Sequence, residues 1–349
     1  MTPPHHHVPH RKSTQRFVGA TLLLTASALL ASCAASGQAS EPDADGTLNV
    51  RYEGAANSVT LPELAEDLGY LDGIALEWVG NNTSGPSQIQ NTATNSTDIA
   101  SAFTGAVVKL QEAGAGITGV VSSYGSNAES NIGFYALEGS DIKEPRDFIG
   151  KTVAVNTLGA HAEALIGTYL REAGLTEDEI SQVQLVVLPP SDTEQAIRTG
   201  QVDAGQLSSL FQAVAEANGG LTKIFNDVEY FGEFDAGQYV LRDDFIDEYP
   251  EQTRTLVTGI GKAADWASSH TREEVIERLS SIIEGRDRGE NTDALKYYKS
   301  YAVGEHGLIE DSDFTQWQAW FNDTGVHSGD INPSDYYTNE FNDLATEGK

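Results

Sequence analysis

Residues able to do chemistry are sparse in this 349-residue chain, and none falls into a catalytic spacing. There is one cysteine, Cys33. Of the eight histidines, His5, His6, His7 and His10 sit near the start, and His161, His270, His306 and His327 are scattered. The sequence contains no HExxH, no CxxC and no GxSxG, so it gives no support for a zinc or iron centre or for a serine nucleophile elbow. Gly114, Gly116 and Gly119 match GxGxxG, but a helical pattern precedes them and a strand follows. Pyrophosphate binding needs the reverse order, and a helix C-cap accounts better for these glycines. The chemistry left is that of helix N-termini, whose free N–H groups, with nearby hydroxyls and amides, hold a small anion without lysine or arginine.

Such donors need strand-to-helix turns, and two lie between Lys151 and Phe211. KTVAVNTLGAHAEALIGTYLREAGL reads as a strand over Thr152 to Val155, a turn at Leu158 to Ala160, and a helix stopped by Gly174. In VQLVVLPPSDTEQAIRTGQVDAGQLSSLF a strand ends at Leu188 and Pro189 and Pro190 forbid its continuation. Ser191 with Glu194 then predicts a capping box for a helix that Gly200 closes. Val202 to Leu207 resumes as a strand. Alternating units of this kind build a mostly parallel sheet with ligands beyond the carboxyl ends of its strands.

The preceding segment repeats the pattern. Strands are predicted at Leu48–Tyr52, Ile74–Val79, Asp98–Ala102, Ile117–Ser122 and Ile132–Leu137, with Thr60 and Glu63 as a capping box and a polar helix from about Pro86 to Thr94. The strand-to-helix loops at 54–58, 80–87 and 102–105 should share one end of the sheet. Asp98 and Asp203 each open a strand that leads to that end, and both read as turn caps. One more strand is expected at Gln238–Leu241. Beyond Pro250 the pattern is almost wholly helical, with Thr271 capped by Glu274 and with Trp317, Trp320 and Phe321 at packing intervals, as core or docking surface.

The first 32 residues read as a secretory signal: Arg11, Lys12 and Arg16 precede an apolar run from Phe17 to Ala31. That run extends roughly 22 Å as a helix, short of a hydrocarbon core of roughly 30 Å. Leu-Ala-Ser-Cys at its end resembles a bacterial lipobox, which would make Cys33 the lipidated first residue of the mature protein; the plainer reading is an incidental thiol. Ala34 to Gly46 reads as a flexible tether. Residues 1–32 hold three basic and no acidic residues, so the remainder carries a formal net charge of −34. Such a surface disfavours nucleic acid and anionic lipid as partners.

The order Asp141-Ile142-Lys143, Phe148-Ile149-Gly150-Lys151, LGAHAEALIGTYLREAGL, LPPSDTEQAIRTGQVDA and FQAVAE is similar to the aliphatic sulfonate, nitrate and taurine type of solute-binding protein serving ABC importers. The resemblance covers most of residues 48–265. It implies an α/β protein with the type II periplasmic-binding-protein fold, two lobes each with a mostly parallel central sheet, and a ligand cleft between them. Domain I would comprise 47–137 plus 232–349 and domain II 138–231. It further implies a monomer without catalysis or cofactor, bound to the outer face of the membrane through lipid only, with a small anion as ligand and permease subunits as partners.

Carried over by position, the resemblance implies ligand contacts from Asn57, Ser58, Ser84, Gly85, Phe103 and Thr104 in the first lobe, and from Gly159, Ala160, His161, Ser208 and Ser209 in the second. The chain departs from the sulfonate pattern after Val202-Asp203-Ala204, where Gly205, Gln206, Leu207, Ser208 and Ser209 replace aromatic and acidic residues. Nitrate, a small carboxylate or a pyrimidine-like compound stay open as ligands. So do a ligand sensor and, on the same fold, an enzyme making a thiamine pyrimidine, although its cysteine-rich motif is missing. His161 opens a helix, where the macrodipole opposes an imidazolium by roughly 0.3–1 kcal/mol. It is therefore expected neutral when the cleft is empty, either donating to a ligand that raises its pKa or merely flanking the cleft.

Overall fold

The structure is a computed structural model and describes residues 42–346. The expected signal segment, Cys33 and the first part of the tether lie outside the described residues. The last tether residues do not float. Pro42 bridges to Leu48, the Asp43 amide donates to Thr47 O (2.7 Å), and the Gly46 amide returns to Asp43 O (2.8 Å), closing a turn onto the first strand.

In chain order the first half runs β1 (Leu48–Gly54), α1 (Leu61–Asp67), β2 (Ile74–Asn81), α2 (Gly85–Ala93), β3 (Ile99–Phe103), α3 (Thr104–Glu112), β4 (Ile117–Ser126) and β5 (Ile132–Leu137). It continues with β6 (Thr152–Val155), α4 (His161–Glu172), α5 (Glu177–Ile180), β7 (Gln184–Val187), α6 (Pro190–Arg198), β8 (Ala204–Ser208), α7 (Ser209–Asn218), β9 (Leu221–Asn226) and α8 (Val228–Phe231). The remainder is β10 (Phe234–Arg242), α9 (Asp243–Glu248), α10 (Pro250–Ser269), α11 (Arg272–Gly285), α12 (Ser312–Thr315) and α13 (Gln318–Thr324).

The strands form two five-stranded sheets, β2-β1-β3-β10-β4 and β7-β6-β8-β5-β9. In the first, β10 runs against its neighbours β3 and β4; in the second, β5 runs against β8 and β9. All other pairings are parallel, so each sheet is mixed, with four strands running one way, as the alternating pattern predicts, and one running against them. The segment 132–137 belongs elsewhere than its sequence position suggested. Counted with the first lobe above, it pairs from Ile132↔Ser208 to Ala136↔Ala204 and lies in the second sheet. The chain crosses between sheets after β4 and returns after β9.

Local signals account for many boundaries. Thr60 and Glu63 form the reciprocal capping box of α1, and Thr271 and Glu274 that of α11. The Ser191–Glu194 box does not form. Pro190 already sits inside α6, whose N-cap is Pro189, and Glu194 turns to Arg198 and Asn218 instead. The C-terminal segment is less helical than its composition suggests: after Gly285 only short helices and 3-10 turns follow. Trp317, Trp320 and Phe321 are buried there, as expected of core aromatics, in one cluster with Phe103, Val107 and Val240.

Candidate functional site

β1, β2 and β3 are parallel, so their carboxyl ends share an edge, and β6 and β8 do the same in the second sheet. Between these edges lies a cavity of ≈ 320 Å³. The N-terminal ends of α2, α3, α4 and α7 reach it through Gly85, Phe103, Ala160 with His161, and Ser208. Each helix has at least nine residues, and none has a side-chain cap bond at its N-cap. Free N–H groups with the positive end of the dipole therefore point toward the cavity from both lobes.

Among the described lining residues there is no Lys, Arg, Asp or Glu. Polar groups come from Thr83 and Gln88, from Ser101, from Tyr124 and Ser126 of β4, from Ser130 and Asn131 of the β4–β5 crossing, and from Asn156 and Thr157 after β6. Gln206 and Ser208 of β8, Ser300 and Tyr301 complete them. Tyr124 reaches its place because β10 offers it a glycine: a Cβ at Gly237 would stand 2.1 Å from the Tyr124 ring. The lobes touch at the rim, where Ser84 Oγ and Thr157 Oγ1 lie 3.2 Å apart.

His161 is the distinctive group. It is only 3% exposed, yet it lines the cavity, and neither Nδ1 nor Nε2 has a hydrogen-bond partner. Its ring stacks on Phe103 of the opposite lobe (centroids 5.3 Å, 7°) and meets Phe234 and Trp317 edge-on at 5.7 and 5.5 Å. Nε2 approaches Asp227 Oδ2 at 3.4 Å without hydrogen-bond geometry. That oxygen already accepts from Ser126 Oγ at 2.5 Å, and Asp227 Oδ1 accepts from the Ile132 amide at 3.2 Å. Asp227 thus ties together the two crossings between the lobes. Burial pushes the His161 pKa below its ordinary 6.5, opposed in part by the Asp227 charge. The shift has the direction expected from the helix position, with desolvation as its main cause.

The structure brings Gly85, Phe103, Ala160, His161 and Ser208 together around this cavity. Thr104, Gly159, Ser84, Asn57 and Ser58 fall elsewhere. Thr104 is fully buried and its hydroxyl is spent on Ala236 O and Gln238 Nε2. Gly159, in the left-handed region at φ 72°, donates its amide to Glu163 rather than facing the cavity. Ser84 bridges to Thr157 at the rim, and Ser209 opens α7. Asn57 and Ser58 line a second, smaller cavity.

Neither strand-opening aspartate reaches the cleft. Asp203 accepts from the Thr152 amide, and Asp98 is buried between Arg51 and Arg242. Sequence reasoning passed over Asn156, Thr157, Gln206, Tyr124 and Asp227. The first two directly follow a predicted strand, and Gln206 is a polar residue amid an apolar strand, so both carried a signal. Tyr124 and Asp227 carried none, because their role depends on the crossing strands.

The profile of the family described as NMT1/THI5 like matches residues 63–274. No curated protein matches the sequence. Among solved structures, the chain is similar to the periplasmic aliphatic sulphonate binding protein SsuA from Escherichia coli (19% identity, TM-score 0.62, 83% of this chain and 92% of that one). It is similar also to the alkanesulfonate-binding protein SsuA from Xanthomonas axonopodis pv. citri bound to MOPS (18%, TM-score 0.63, 87% and 99%). The desulfurization enzyme DSZB shares the fold as well (15%, TM-score 0.56, 84% and 97%).

Proposed function

The chain belongs to the NMT1/THI5-like family, and from that premise we propose that it is an extracytoplasmic solute-binding protein that captures a small oxyanion of the sulfonate, nitrate or taurine class and delivers it to an ABC importer. The observation that carries this reading is His161, a buried imidazole with neither nitrogen hydrogen-bonded and Nε2 3.4 Å from Asp227 Oδ2, at a cavity ringed by neutral donors and helix N-termini. A buried polar group without a partner costs about 1–3 kcal/mol, so the site holds donors in reserve for a ligand. The fold shared with two sulfonate-binding proteins supports the same class. In this reading Cys33 carries the lipid that holds the protein at the outer face of the membrane, the permease is its partner, and the chain works as a monomer of two lobes.

Two observations favour binding over acyl transfer. Ser126 donates to Asp227 and not to His161, so nucleophile and base are not joined. The cavity's remaining hydroxyls stand among amides and N–H donors that suit a bound oxygen more than a leaving group. Neutral donors also suit reversible capture, because they hold an anion without the permanent countercharge of lysine or arginine.

A thermal-shift screen of the purified protein against alkanesulfonates, taurine, nitrate, small carboxylates and pyrimidines tests the reading. A ligand at about 100 times its Kd adds about 2.7 kcal/mol. That corresponds to a midpoint rise of several degrees. A flat response to every anion contradicts it, and a response to pyrimidines alone moves the ligand class.

A further inference from the structure

The main cavity has a neighbour of different character. A cavity of ≈ 150 Å³ is lined by Val59, Leu210, Leu279, Leu295 and Tyr298, and it meets the first at Ser130, Ser300 and Tyr301, which line both. Leu279 and Leu295 are buried, and the Tyr301 hydroxyl donates to Val59 O at 2.8 Å, fixing the wall that the two spaces share. Several polar groups at its edge are already engaged, whereas the buried hydroxyl of Tyr298 makes no hydrogen bond. The Asn57 amide donates to Glu290 Oε1 (2.6 Å), Asn57 Oδ1 accepts from the Asn291 amide (2.8 Å), and Ser58 O accepts from Arg286 Nη2 (2.5 Å). Apart from that Tyr298 hydroxyl, what this annex offers a guest is mainly hydrocarbon. Its one cation among the described lining residues is Lys299, which opposes an ammonium group.

We propose that this annex receives the apolar tail of the ligand, so that the physiological solute is an organic oxyanion with an uncharged tail of about six carbons, its head at His161 and its tail between Leu210 and Leu295. The inference rests on the reading of the main cavity as an anion site. An apolar cavity of about this volume accepts a guest the size of benzene, which sets the tail length. Apolar burial tightens binding about fourfold per methylene until the space is filled. Nitrate has no tail to place there, and taurine would bring its ammonium toward Lys299.

The test is calorimetric titration of the purified protein with n-alkanesulfonates from one to eight carbons, a parallel series of n-alkanoates, taurine and nitrate. The expected result is a Kd falling about fourfold per methylene to about six carbons and then levelling, in whichever series the head site accepts. Leu210→Trp, which fills the annex, should flatten that dependence, with its fold checked by circular dichroism. Binding of short anions with no gain from added methylenes would overturn the annex while leaving the anion site standing. A steep dependence that survives intact in a folded Leu210→Trp variant would also overturn it, since the tail would then lie elsewhere. Failure of both series at every length would remove the annex together with the anion site.

Discussion

Two buried polar clusters in this molecule are built on opposite terms. Asp98, fully buried, accepts from the Arg51 amide (2.8 Å), from Arg51 Nε and Nη2 (2.9 and 2.8 Å) and from Arg242 Nη1 (3.1 Å). The arginines are held in turn by Asn95, Thr97 and Asp244. At His161 the burial is nearly as deep, but the imidazole nitrogens make no hydrogen bond, and the nearest carboxylate, Asp227 at 3.4 Å from Nε2, accepts from Ser126 and Ile132. The difference separates structure from function. A saturated network fixes β1, β3 and β10 in one sheet, whereas an unsaturated group at a cavity stores binding capacity at the expense of stability.

The largest expected effect is at the saturated cluster. Asp98→Ala leaves two guanidinium groups facing each other without their shared acceptor, and removing one partner of a buried ion pair costs about 3–5 kcal/mol. Urea denaturation should show that loss. A variant as stable as the parent would break the comparison on its structural side.

On the functional side, His161→Phe keeps the ring stacked against Phe103 and removes the unpartnered nitrogens. Stability should be unchanged or raised by about 1 kcal/mol. Affinity for the anion should fall by about 10- to 100-fold, since a hydrogen bond to a charged group is worth about 1.5–3 kcal/mol. Calorimetry and thermal melts on the same samples read both quantities. A variant that loses stability but keeps its affinity would make His161 a packing residue.

A third carboxylate lies between these extremes. Asp313 is buried and accepts from the Glu310 amide, and burial, with the Asp235 charge adding, pushes its pKa up to about 7. The folded chain then holds a proton that the unfolded chain, with its ordinary value of 3.8, releases. The contribution of this group to stability is therefore complete below pH 3.8 and is lost as pH rises through about 7. Asp313→Asn mimics the protonated form, so it should raise stability by roughly 1–2 kcal/mol at pH 8 and by little at about pH 3.5. Melting curves at the two values decide the matter, and an equal effect at both would show that charge is not the cause.

Much of the scaffold could be read before any coordinates. Strand-to-helix order, the capping boxes at Thr60 and Thr271 and the terminating glycines at 174 and 200 are local, and local signals survive folding. The placement of 132–137 was not legible, because a strand's sheet depends on which edge is free, and here the chain had already crossed. Within the site, residues at helix starts such as Gly85, Ala160 and His161 were accessible to sequence reasoning because the helix start fixes where they point. Thr104 was misjudged because its hydroxyl finds Ala236 and Gln238 on a strand more than 130 residues away. Asn57 and Ser58, expected in the main cleft, line the smaller cavity, where the 286–291 segment binds them.

The most direct test of the anion site is an NMR titration of the His161 imidazole, with and without saturating methanesulfonate, assigned by comparison with His161→Phe. Without ligand the imidazole should titrate below 6.5, as its burial requires. With the anion bound the pKa should rise, because the imidazolium then lies between the ligand charge and Asp227, and anion affinity should increase as pH falls toward the free-state value. A titration unaltered by methanesulfonate and by every other anion that binds would contradict the account.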